Sequence, residues 1–369
     1  MLYLIKTAGK KGKAIANRVC SKAKVVFWDA NCKLWNTTNE YGPIVSFAKI
    51  KEYIDNNQDY SVIIPEFLVN ENTKDELINL GVEIGKTYIA LSDDIIPAPP
   101  GGEFLNFSDY FRLPYLEYHV IDRCNLNCKG CAVFSPLVKE DGKYEYDVFE
   151  KDIVRLKQLI HSIDRIRIMG GEPFLDDELY KYVAFTRHTY PSSELIIVTN
   201  GSVLDRTDKK TWNSIKENQV KIQISSYPVL YKRIDELVGI CSEYGVDVEV
   251  IPVTSFKPIL RKKHEYPFDN TKLCQCNNLR DGKISSCAIS MYGKHYNQFF
   301  GRDLPFESGV VDIYNQELNG EILTNILNTP SEICKYCQQY LWSFNERFGE
   351  DNRWNFYSND TPLESDWGL

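Results

Sequence analysis

Three cysteines lie close together in the stretch DRCNLNCKGC, at Cys124, Cys128 and Cys131. The spacing Cys-x3-Cys-x2-Cys lets one loop supply three thiolate ligands, whereas a 4Fe–4S cluster usually takes four. One iron would then stay open and could chelate a small molecule through an amine and a carboxylate. A disulfide site, a zinc knuckle with a fourth ligand from elsewhere, and coincidence are the alternatives.

The rest of the chain favours metal chemistry over disulfides. The chain has 369 residues and eleven cysteines, and its opening apolar run is far shorter than that of a signal peptide. No stretch approaches the roughly 18 apolar residues of a membrane span. We therefore expect a cytoplasmic protein without a membrane partner, in which thiols stay reduced. The net charge of −8 argues against a broad nucleic-acid-binding face.

The other cysteines fall into two sets. Cys20, Cys32 and Cys241 stand alone, and we expect each to be a small core residue. Five more lie in the C-terminal part of the chain and form a second group of candidate ligands: Cys274, Cys276, Cys287, Cys334 and Cys337.

The elements that would position the first cysteines alternate between strand and helix. From Tyr115 onward the predicted strands are YLEYHVI, RIRIM, ELIIVT, VKIQISS and VDVEVIPV. The first helical pattern, DVFEKDIVRLKQLIHSI, includes Ile160 and Ile163 among its apolar positions. Repeated units of this kind predict a parallel sheet covered by helices. Five clear units and a weaker sixth indicate an α/β fold with an incomplete barrel.

Every unusual motif follows one of these strands. The cysteines follow the first strand, GGEP the second, TNG the third and SSYP the fourth. Because the chemistry of parallel barrels lies at the carboxyl ends of the strands, the motifs should meet there.

This combination resembles the radical S-adenosylmethionine (radical SAM) superfamily over about residues 115–260. The resemblance implies a partial (β/α)6 barrel with a 4Fe–4S cluster on Cys124, Cys128 and Cys131 and SAM on the open iron. It also implies reductive cleavage of SAM to a 5′-deoxyadenosyl radical, which removes a hydrogen atom from the substrate. The expected protein partner is an electron donor such as flavodoxin or ferredoxin.

The same resemblance assigns roles to other residues. Gly170, Gly171, Glu172 and Pro173 correspond to the segment that receives the SAM amino group, where glycines allow close backbone approach. Three further positions are implied to contact the ribose or carboxylate of SAM: Thr199, Asn200 and Ser225.

Two features bear on the adenine and on the substrate. Many members of the superfamily carry an aromatic residue just before the third cysteine, whereas this chain has Gly130. We expect Phe134 to cover the adenine instead. Glu117 and His119 share one face of the first strand, either as substrate contacts or as a satisfied polar pair in the core.

The C-terminal cysteines flank a predicted hairpin, LCQCNNLRDGKISSC, with a tight turn at Asp281-Gly282. Together with CKYC the pattern resembles the twitch domain, a shortened relative of SPASM that holds an auxiliary cluster. The resemblance implies a second 4Fe–4S cluster on Cys287, Cys334 and Cys337. A four-cysteine zinc site is the alternative.

The fourth ligand of that cluster is either Cys274 or Cys276. The remaining thiol would then stand beside the cluster as a candidate catalytic hydrogen donor, or be a buried inert cysteine.

The whole chain is expected to hold three domains and a linker. A small Rossmann-like α/β domain covers residues 1–91, a Pro- and Gly-rich linker 92–110, the barrel 111–260, and the auxiliary domain with the C-terminal tail 261–369. TAGKKG, from Thr7 to Gly12, approximates a dinucleotide fingerprint, and Asp29 ends the second strand. This domain either binds a nucleotide or nucleotide-sugar or is a purely structural or partner-docking domain.

Twitch-bearing relatives include dehydrogenases and epimerases of aminosugars and aminocyclitols. By that analogy we expect epimerisation or dehydrogenation of a carbohydrate-like small molecule such as a sugar, aminosugar or nucleotide-sugar. The rival enzyme is a maturase of a ribosomally made peptide, whose winged-helix pattern the N-terminal region does not show. The rival from another class is a zinc-stapled, non-catalytic binding protein.

Overall fold

The computed structural model describes residues 1–19, 23–57, 59–70, 72–90, 104–140, 142–253, 256, 258–263, 275–338 and 360–369. The chain divides into two compact units, Met1–Phe111 and Arg112–Leu369. Most of the predicted linker falls outside the described residues, as do Cys20 and Cys274. No described helix is long and apolar enough to cross a membrane.

The first unit is an α/β sheet. Its strands are β1 Leu2–Lys6, β2 Lys24–Trp28, β3 Thr37–Thr38, β4 Pro43–Val45, β5 Tyr60–Pro65, β6 Thr87–Ala90 and β7 Leu105–Asn106, and its helices are α1 Lys10–Val19, α2 Phe47–Asp55 and α3 Thr73–Asn79. The strand order is β3-β4-β2-β1-β5-β6-β7, with parallel pairing from β4 through β6. The chain moves outward from β1 to β4 and returns to β5, so the order reverses beside β1.

Apolar residues cover both faces of this sheet because successive side chains of a strand point to opposite sides. Leu4 belongs to the core cluster that includes Ile50, whereas the neighbouring Ile5 belongs to the cluster that includes Ile15. Helix α3 is closed by Gly81, whose φ of +77° favours glycine. Cys32 is exposed and is therefore not the core residue that the sequence predicted.

The second unit contains the predicted partial barrel. Its strands are β8 Arg112–His119, β9 Ser162–Met169, β10 Glu194–Thr199, β11 Lys221–Ser226, β12 Val248–Pro252, β13 Asn278–Arg280, β14 Lys283–Ser285 and β15 Val310–Asp312. Its helices are α4 Tyr146–Leu159, α5 Leu179–Thr189, α6 Lys209–Glu217, α7 Ile234–Glu243, α8 Ala288–Tyr292, α9 Lys294–Phe300 and α10 Gly320–Leu327.

Strands β8 to β12 are parallel neighbours in sequence order, with α4 to α7 between them. On the other side of β8 the sheet continues through β13, which is parallel to β8, and then through the antiparallel β14 and β15. The hairpin predicted at Asp281-Gly282 is confirmed, and both turn residues have positive φ. Beyond β12, the described residues add no further parallel strand at that edge of the sheet.

The first helix of the barrel is shorter than the sequence predicted. Helix α4 ends at Leu159, Ile160 is extended, and Ile163 already lies in β9. Apolar residues at helical spacing continue across the boundary because both ends of the segment are buried, so periodicity alone cannot locate the break. Cys241 is fully buried on α7, as predicted.

A buried charge network joins the end of β8 to the hairpin. The Asp122 carboxylate lies 3.1 Å from the Arg280 guanidinium and 3.0 Å from His295 Nε2. Arg280 also donates to the carbonyl oxygens of His119 and Gly142, at 2.8 and 2.6 Å. Burial alone would raise the pKa of Asp122, but contacts with His119, His295 and Arg280 hold it well below its usual value. Arg280 therefore fixes the chain where it leaves β8.

We expect Arg280→Met to lower the free energy of unfolding by about 3 kcal/mol or more, because the Asp122 charge stays buried without its arginine partner. The matched control is Arg165→Met, which removes an ion pair of 2.7 Å with Glu194 whose arginine side chain is 48% exposed. That change should cost at most about 1 kcal/mol. Urea unfolding followed by far-ultraviolet circular dichroism measures both, and equal losses would contradict the assignment.

Candidate functional site

The three clustered cysteines line one cavity at the carboxyl ends of the barrel strands. The cavity has a volume of about 220 Å³. Its walls come from the ends of five successive strands, β8 to β12, and from the residues that follow them; the motif positions predicted the first four. Besides Cys124, Cys128 and Cys131, the lining includes Gly170, Gly171, Thr199, Asn200, Ser225, Tyr227 and Phe256. We call this space the cysteine cavity, and residues 120–131 the cysteine loop.

The GGEP segment holds the cysteine loop through the backbone. The N–H groups of Gly171 and Glu172 donate to the carbonyls of Ile121 and Arg123, at 2.8 and 3.0 Å. A Cβ atom on Gly171 would lie 2.2 Å from the Arg123 carbonyl oxygen. Both glycines are therefore required by the chain's own loop, whereas the sequence had suggested only close approach of a ligand.

Glu172 is fully buried and bonded within the protein. Its carboxylate accepts from Thr199 Oγ1 at 2.6 Å, from the Asn200 N–H at 2.8 Å and from the Phe174 N–H at 3.2 Å. Burial raises the pKa of Glu172 to about 7, although these hydrogen bonds oppose the shift. Glu172 thus ties the GGEP segment to the TNG segment and lies behind the lining. Pro173 is buried at the start of the following short helical turn.

The TNG segment reaches the cysteine loop through Asn200. Its Nδ2 donates to Asn125 Oδ1 at 3.0 Å and lies 3.7 Å from Cys124 Sγ. The backbone N–H of Ser202 donates back to Asn200 Oδ1 at 2.8 Å, which fixes the amide. Asn200 therefore sets the position of the first cysteine.

The three thiols fit an iron–sulfur cluster. Burial raises the pKa of Cys124 to about 12, with a further contribution from Glu172, and burial also raises the pKa of Cys131. Thiolates are unfavourable here until a cation compensates them, which bound iron would do. Among the described residues no three His, Cys, Asp or Glu side chains surround a point that would hold a single metal ion. A cluster does not require such a point, because each thiolate binds a different iron.

The aromatic wall of the cysteine cavity differs from the sequence expectation. Phe134 is fully buried, has a φ of +59° and packs in a core cluster with Trp367 and Tyr296; it is not among the lining residues. The aromatic lining residues are Tyr227 and Phe256, which pack around Cys128 and Val253. Tyr227 belongs to the SSYP motif, so the sequence did carry a signal for it.

A segment far away in sequence also contacts the cysteine loop. Trp367 is fully buried, and its indole N–H donates to the carbonyl of Cys131 at 2.9 Å. Lys129 forms an ion pair of 3.0 Å with Asp360. Nothing in the sequence pattern had singled out residues 360–369, since neither a motif nor a periodic pattern marks them.

The C-terminal cysteines lie in two surroundings. Cys337 is buried in the core cluster that includes Phe306, with Cys287 packed against that cluster. Cys334 lies on the short helical turn Glu332–Tyr336, next to Cys337. Cys276 precedes Asn277, whose carbonyl accepts from the Glu117 N–H of β8 at 2.7 Å, so it lies beside a barrel strand.

The barrel interior is polar one layer below the cysteine cavity. Glu117 is paired with Arg167 across β8 and β9, two residues before the His119–Met169 pair. Met169 lines the cysteine cavity, and residues two apart in a strand share a face. Arg167 donates to Gln223 of β11 at 3.1 Å, and Tyr115 donates its hydroxyl proton to Glu117. Charged and amide groups therefore face the interior below the cysteines.

Comparison with known proteins agrees with this geometry. Residues 118–297 match the radical SAM superfamily. The GTP 3′,8-cyclase of Alkaliphilus oremlandii is 30% identical over 96 residues, which is 26% of this chain and 30% of the relative. That of Sulfurovum sp. is 26% identical over 155 residues, which is 38% of this chain and 46% of the relative. The chain thus matches less than half the length of these curated relatives.

Solved structures show partial likeness. BtrN in complex with AdoMet and 2-DOIA is 17% identical with a TM-score of 0.36, over 66% of this chain and 97% of that chain. Native anSMEcpe with bound AdoMet is 20% identical with a TM-score of 0.32, over 38% of this chain and 44% of that chain.

The raised pKa of Glu172 predicts a pH dependence of stability. Between about pH 4.5 and 7 the folded chain keeps a proton that the unfolded chain releases, so the free energy of unfolding falls as the pH rises through this window. Relative to Glu172→Gln, which cannot titrate, the wild type should lose about 3 kcal/mol across the window and nothing further above it. Urea unfolding of the cluster-free chains from pH 4.5 to 8 tests this, and a constant difference would refute it.

Proposed function

Because residues 118–297 carry a radical SAM domain, we propose that this chain is an enzyme that cleaves SAM reductively and removes a hydrogen atom from a carbohydrate-like substrate. The substrate is a sugar, aminosugar or nucleotide-sugar, and the outcome is epimerisation or dehydrogenation. The observation that carries the proposal is the cysteine cavity, in which three thiols of one loop face two glycines and the TNG and SSYP residues.

Each part of the cavity has a role in this proposal. Cys124, Cys128 and Cys131 hold the cluster through their thiolates. Bound together, the cluster and SAM supply a 5′-deoxyadenosyl radical that abstracts hydrogen. Four polar or flat lining groups orient SAM: Thr199, Asn200 and Ser225 for the ribose and carboxylate, and Tyr227 for the adenine. Phe256 and Val253 keep water from the reacting end of the cavity.

In this proposal Glu172 does not contact SAM but positions the residues that do. Its carboxylate accepts three hydrogen bonds from Thr199, Asn200 and Phe174, which leaves little capacity for the SAM ammonium. A positioning role for Glu172 is therefore better supported than direct contact. A direct role would require the Thr199 hydroxyl, 2.6 Å away, to turn aside when SAM binds.

The polar layer below the cysteine cavity suits a hydroxylated substrate. Glu117 offers acceptors, and Arg167 and Gln223 offer donors, on three different strands. In the part of the chain that the structure describes, several buried atoms in or beside this layer have no hydrogen-bond partner, among them Arg167 Nε, His119 Nε2 and Asn278 Oδ1. Buried polar groups without partners are costly unless a ligand satisfies them.

In this proposal Cys276 returns the hydrogen atom. It precedes Asn277, whose carbonyl accepts from the Glu117 N–H of β8, whereas Cys287 and Cys337 pack in the C-terminal core. We assign Cys274 with Cys287, Cys334 and Cys337 to the auxiliary cluster. In epimerisation the hydrogen atom removed from carbon on one face ends in 5′-deoxyadenosine. Cys276 S–H gives a different hydrogen atom to the other face and is left as a thiyl radical. One electron from a flavodoxin- or ferredoxin-like donor and one solvent proton restore the thiol.

A purine nucleotide is the second candidate substrate, because the relatives described above are named GTP 3′,8-cyclases. That match covers less than half of each relative. GTP therefore belongs in every substrate panel.

Replacing Cys124, Cys128 and Cys131 together by Ala should abolish 5′-deoxyadenosine formation. Iron should fall from about eight to about four per chain, since each cluster holds four. Cys32→Ala is the matched control, because Cys32 is exposed and lies in the first unit. After anaerobic reconstitution, metal analysis measures iron and zinc. Chromatography after incubation with SAM and dithionite measures 5′-deoxyadenosine. SAM cleavage by the triple variant would overturn the proposal, and about four irons with one zinc in the wild type would make the C-terminal site structural.

Turnover in D2O should place one deuterium at the inverted carbon, because a thiol exchanges its proton with solvent. Cys276→Ala should stop product formation while 5′-deoxyadenosine still forms, and Cys241→Ala, buried on α7, should change neither. Mass spectrometry and NMR of the product give the readout. An oxidised product without deuterium, formed equally well by Cys276→Ala, would establish a dehydrogenase and remove the thiol from the mechanism.

A further inference from the structure

A second cavity lies in the first unit, at the carboxyl edge of its sheet. It has a volume of about 280 Å³. We call it the edge cavity. Its lining consists of Lys6, Thr7, Trp28, Asp29, Ala30, Trp35, Phe47, Leu68 and Glu76. We infer that the edge cavity binds an uncharged, polyhydroxylated ring, as in a monosaccharide or a sugar unit of a larger molecule.

The position of the edge cavity is that of a ligand site. Lys6 ends β1 and Trp28 ends β2, while Leu68 follows β5. The strand order reverses between β1 and β5, so the connections leave toward opposite faces and open a crevice. In open α/β sheets ligands bind in such crevices, at the carboxyl ends of the strands.

Three aromatic side chains provide flat apolar walls. Trp28 is 4% exposed, whereas Trp35 and Phe47 are 37% and 44% exposed. Large aromatic groups left open to water at a concave site favour binding a ligand with an apolar face. The C–H face of a pyranose ring offers such a face, and its hydroxyl groups point outward around the rim.

The polar groups of the edge cavity match hydroxyl groups better than a phosphate. Lys6 Nζ and the Glu76 carboxylate lie 2.6 Å apart, with side chains 17% and 31% exposed. Their charges balance, so a phosphate near Lys6 would also face the Glu76 carboxylate. A hydroxyl group can accept from the ammonium and donate to the carboxylate at once.

Trp28 supplies a further donor. Within the described ranges its buried indole Nε1 has no hydrogen-bond partner. An unpaired buried N–H costs about 1–3 kcal/mol, and a hydroxyl oxygen in the cavity would satisfy it. The edge cavity therefore combines donors, an acceptor and flat walls, which a polyol ring uses together.

The structure argues against the dinucleotide mode that TAGKKG had suggested. Asp29 Oδ2 accepts from the Ala8 N–H at 2.8 Å and from Thr7 Oγ1 at 3.1 Å, and Oδ1 accepts from the Asn31 N–H at 2.9 Å. Burial alone would raise the pKa of Asp29, but these hydrogen bonds outweigh it and lower the pKa. The carboxylate that would receive ribose hydroxyls is thus engaged by its own loops. The backbone carbonyl of Asp29 accepts from Trp35 Nε1 at 2.7 Å, which holds the Trp35 side of the edge cavity in place.

The test uses the full chain and a panel of uncharged sugars: glucose, galactose, mannose, N-acetylglucosamine and myo-inositol, with adenosine and uridine as heteroaromatic comparisons. Saturation-transfer-difference NMR and tryptophan fluorescence should detect millimolar binding of at least one sugar. Trp35→Ala and Phe47→Ser should each raise its Kd about tenfold or more, since each removes a wall. Phe67→Ser is the matched control, because Phe67 is also 44% exposed but does not line the edge cavity.

Three results would overturn the inference: no sugar binds at tens of millimolar, sugar binding survives both wall substitutions, or only the nucleosides bind in a wall-dependent manner. Unchanged thermal unfolding of Phe47→Ser, whose side chain is largely exposed, excludes misfolding as the cause of lost binding. The inference is independent of the proposed function, because SAM cleavage uses the second unit alone. A chain that binds sugar at the edge cavity but never cleaves SAM would refute the enzyme proposal and leave this site in place.

Discussion

The cysteine cavity depends on backbone contact between two loops at a distance that leaves no room for a side chain. The Ile121 and Arg123 carbonyls accept from Gly171 and Glu172, and a Cβ on Gly171 would overlap the Arg123 carbonyl carbon and oxygen. Between those two carbonyls, Asp122 is held from the other side by Arg280. The cysteine loop is therefore held on both sides immediately before its first cysteine, while Asn200 and Trp367 hold it at Cys124 and Cys131.

Much of this arrangement could be predicted from the sequence, because strand ends and turn residues are local properties. The turn at Asp281-Gly282 needs positive φ at both positions, and an Asp-Gly pair is typical of such turns. The end of α4 could not be predicted, because Ile160 and Ile163 continue a helical spacing into a strand. The clamp on Asp122 joins residues about 160 positions apart, and no local pattern encodes such a pairing.

The predicted site residues show a second limit of reasoning from residue types. Glu172 and Asp29 were singled out as ligand-facing carboxylates, and each instead accepts several hydrogen bonds from neighbouring loops. A carboxylate that follows a strand can face a ligand or accept hydrogen bonds from neighbouring loops, and the sequence looks the same in both cases. Only the direction of nearby N–H groups decides between them, and that direction is set by loops whose course the sequence leaves open. Phe134 is a third residue that does not face the expected ligand. Its backbone is left-handed, and its ring stacks on that of Trp367.

The hydrogen bond from Trp367 to Cys131 joins residues 236 positions apart, and this separation affects how the chain folds during synthesis. Long-range contacts form late, after the intervening chain has been ordered. During synthesis the first unit emerges and can fold early, while the cysteine loop waits for residues 360–369 to be made and docked. Iron delivered before that moment would meet thiols on a loop without its last anchor. The support of the cysteine loop is therefore complete only after residues 360–369 have been synthesised and packed against it.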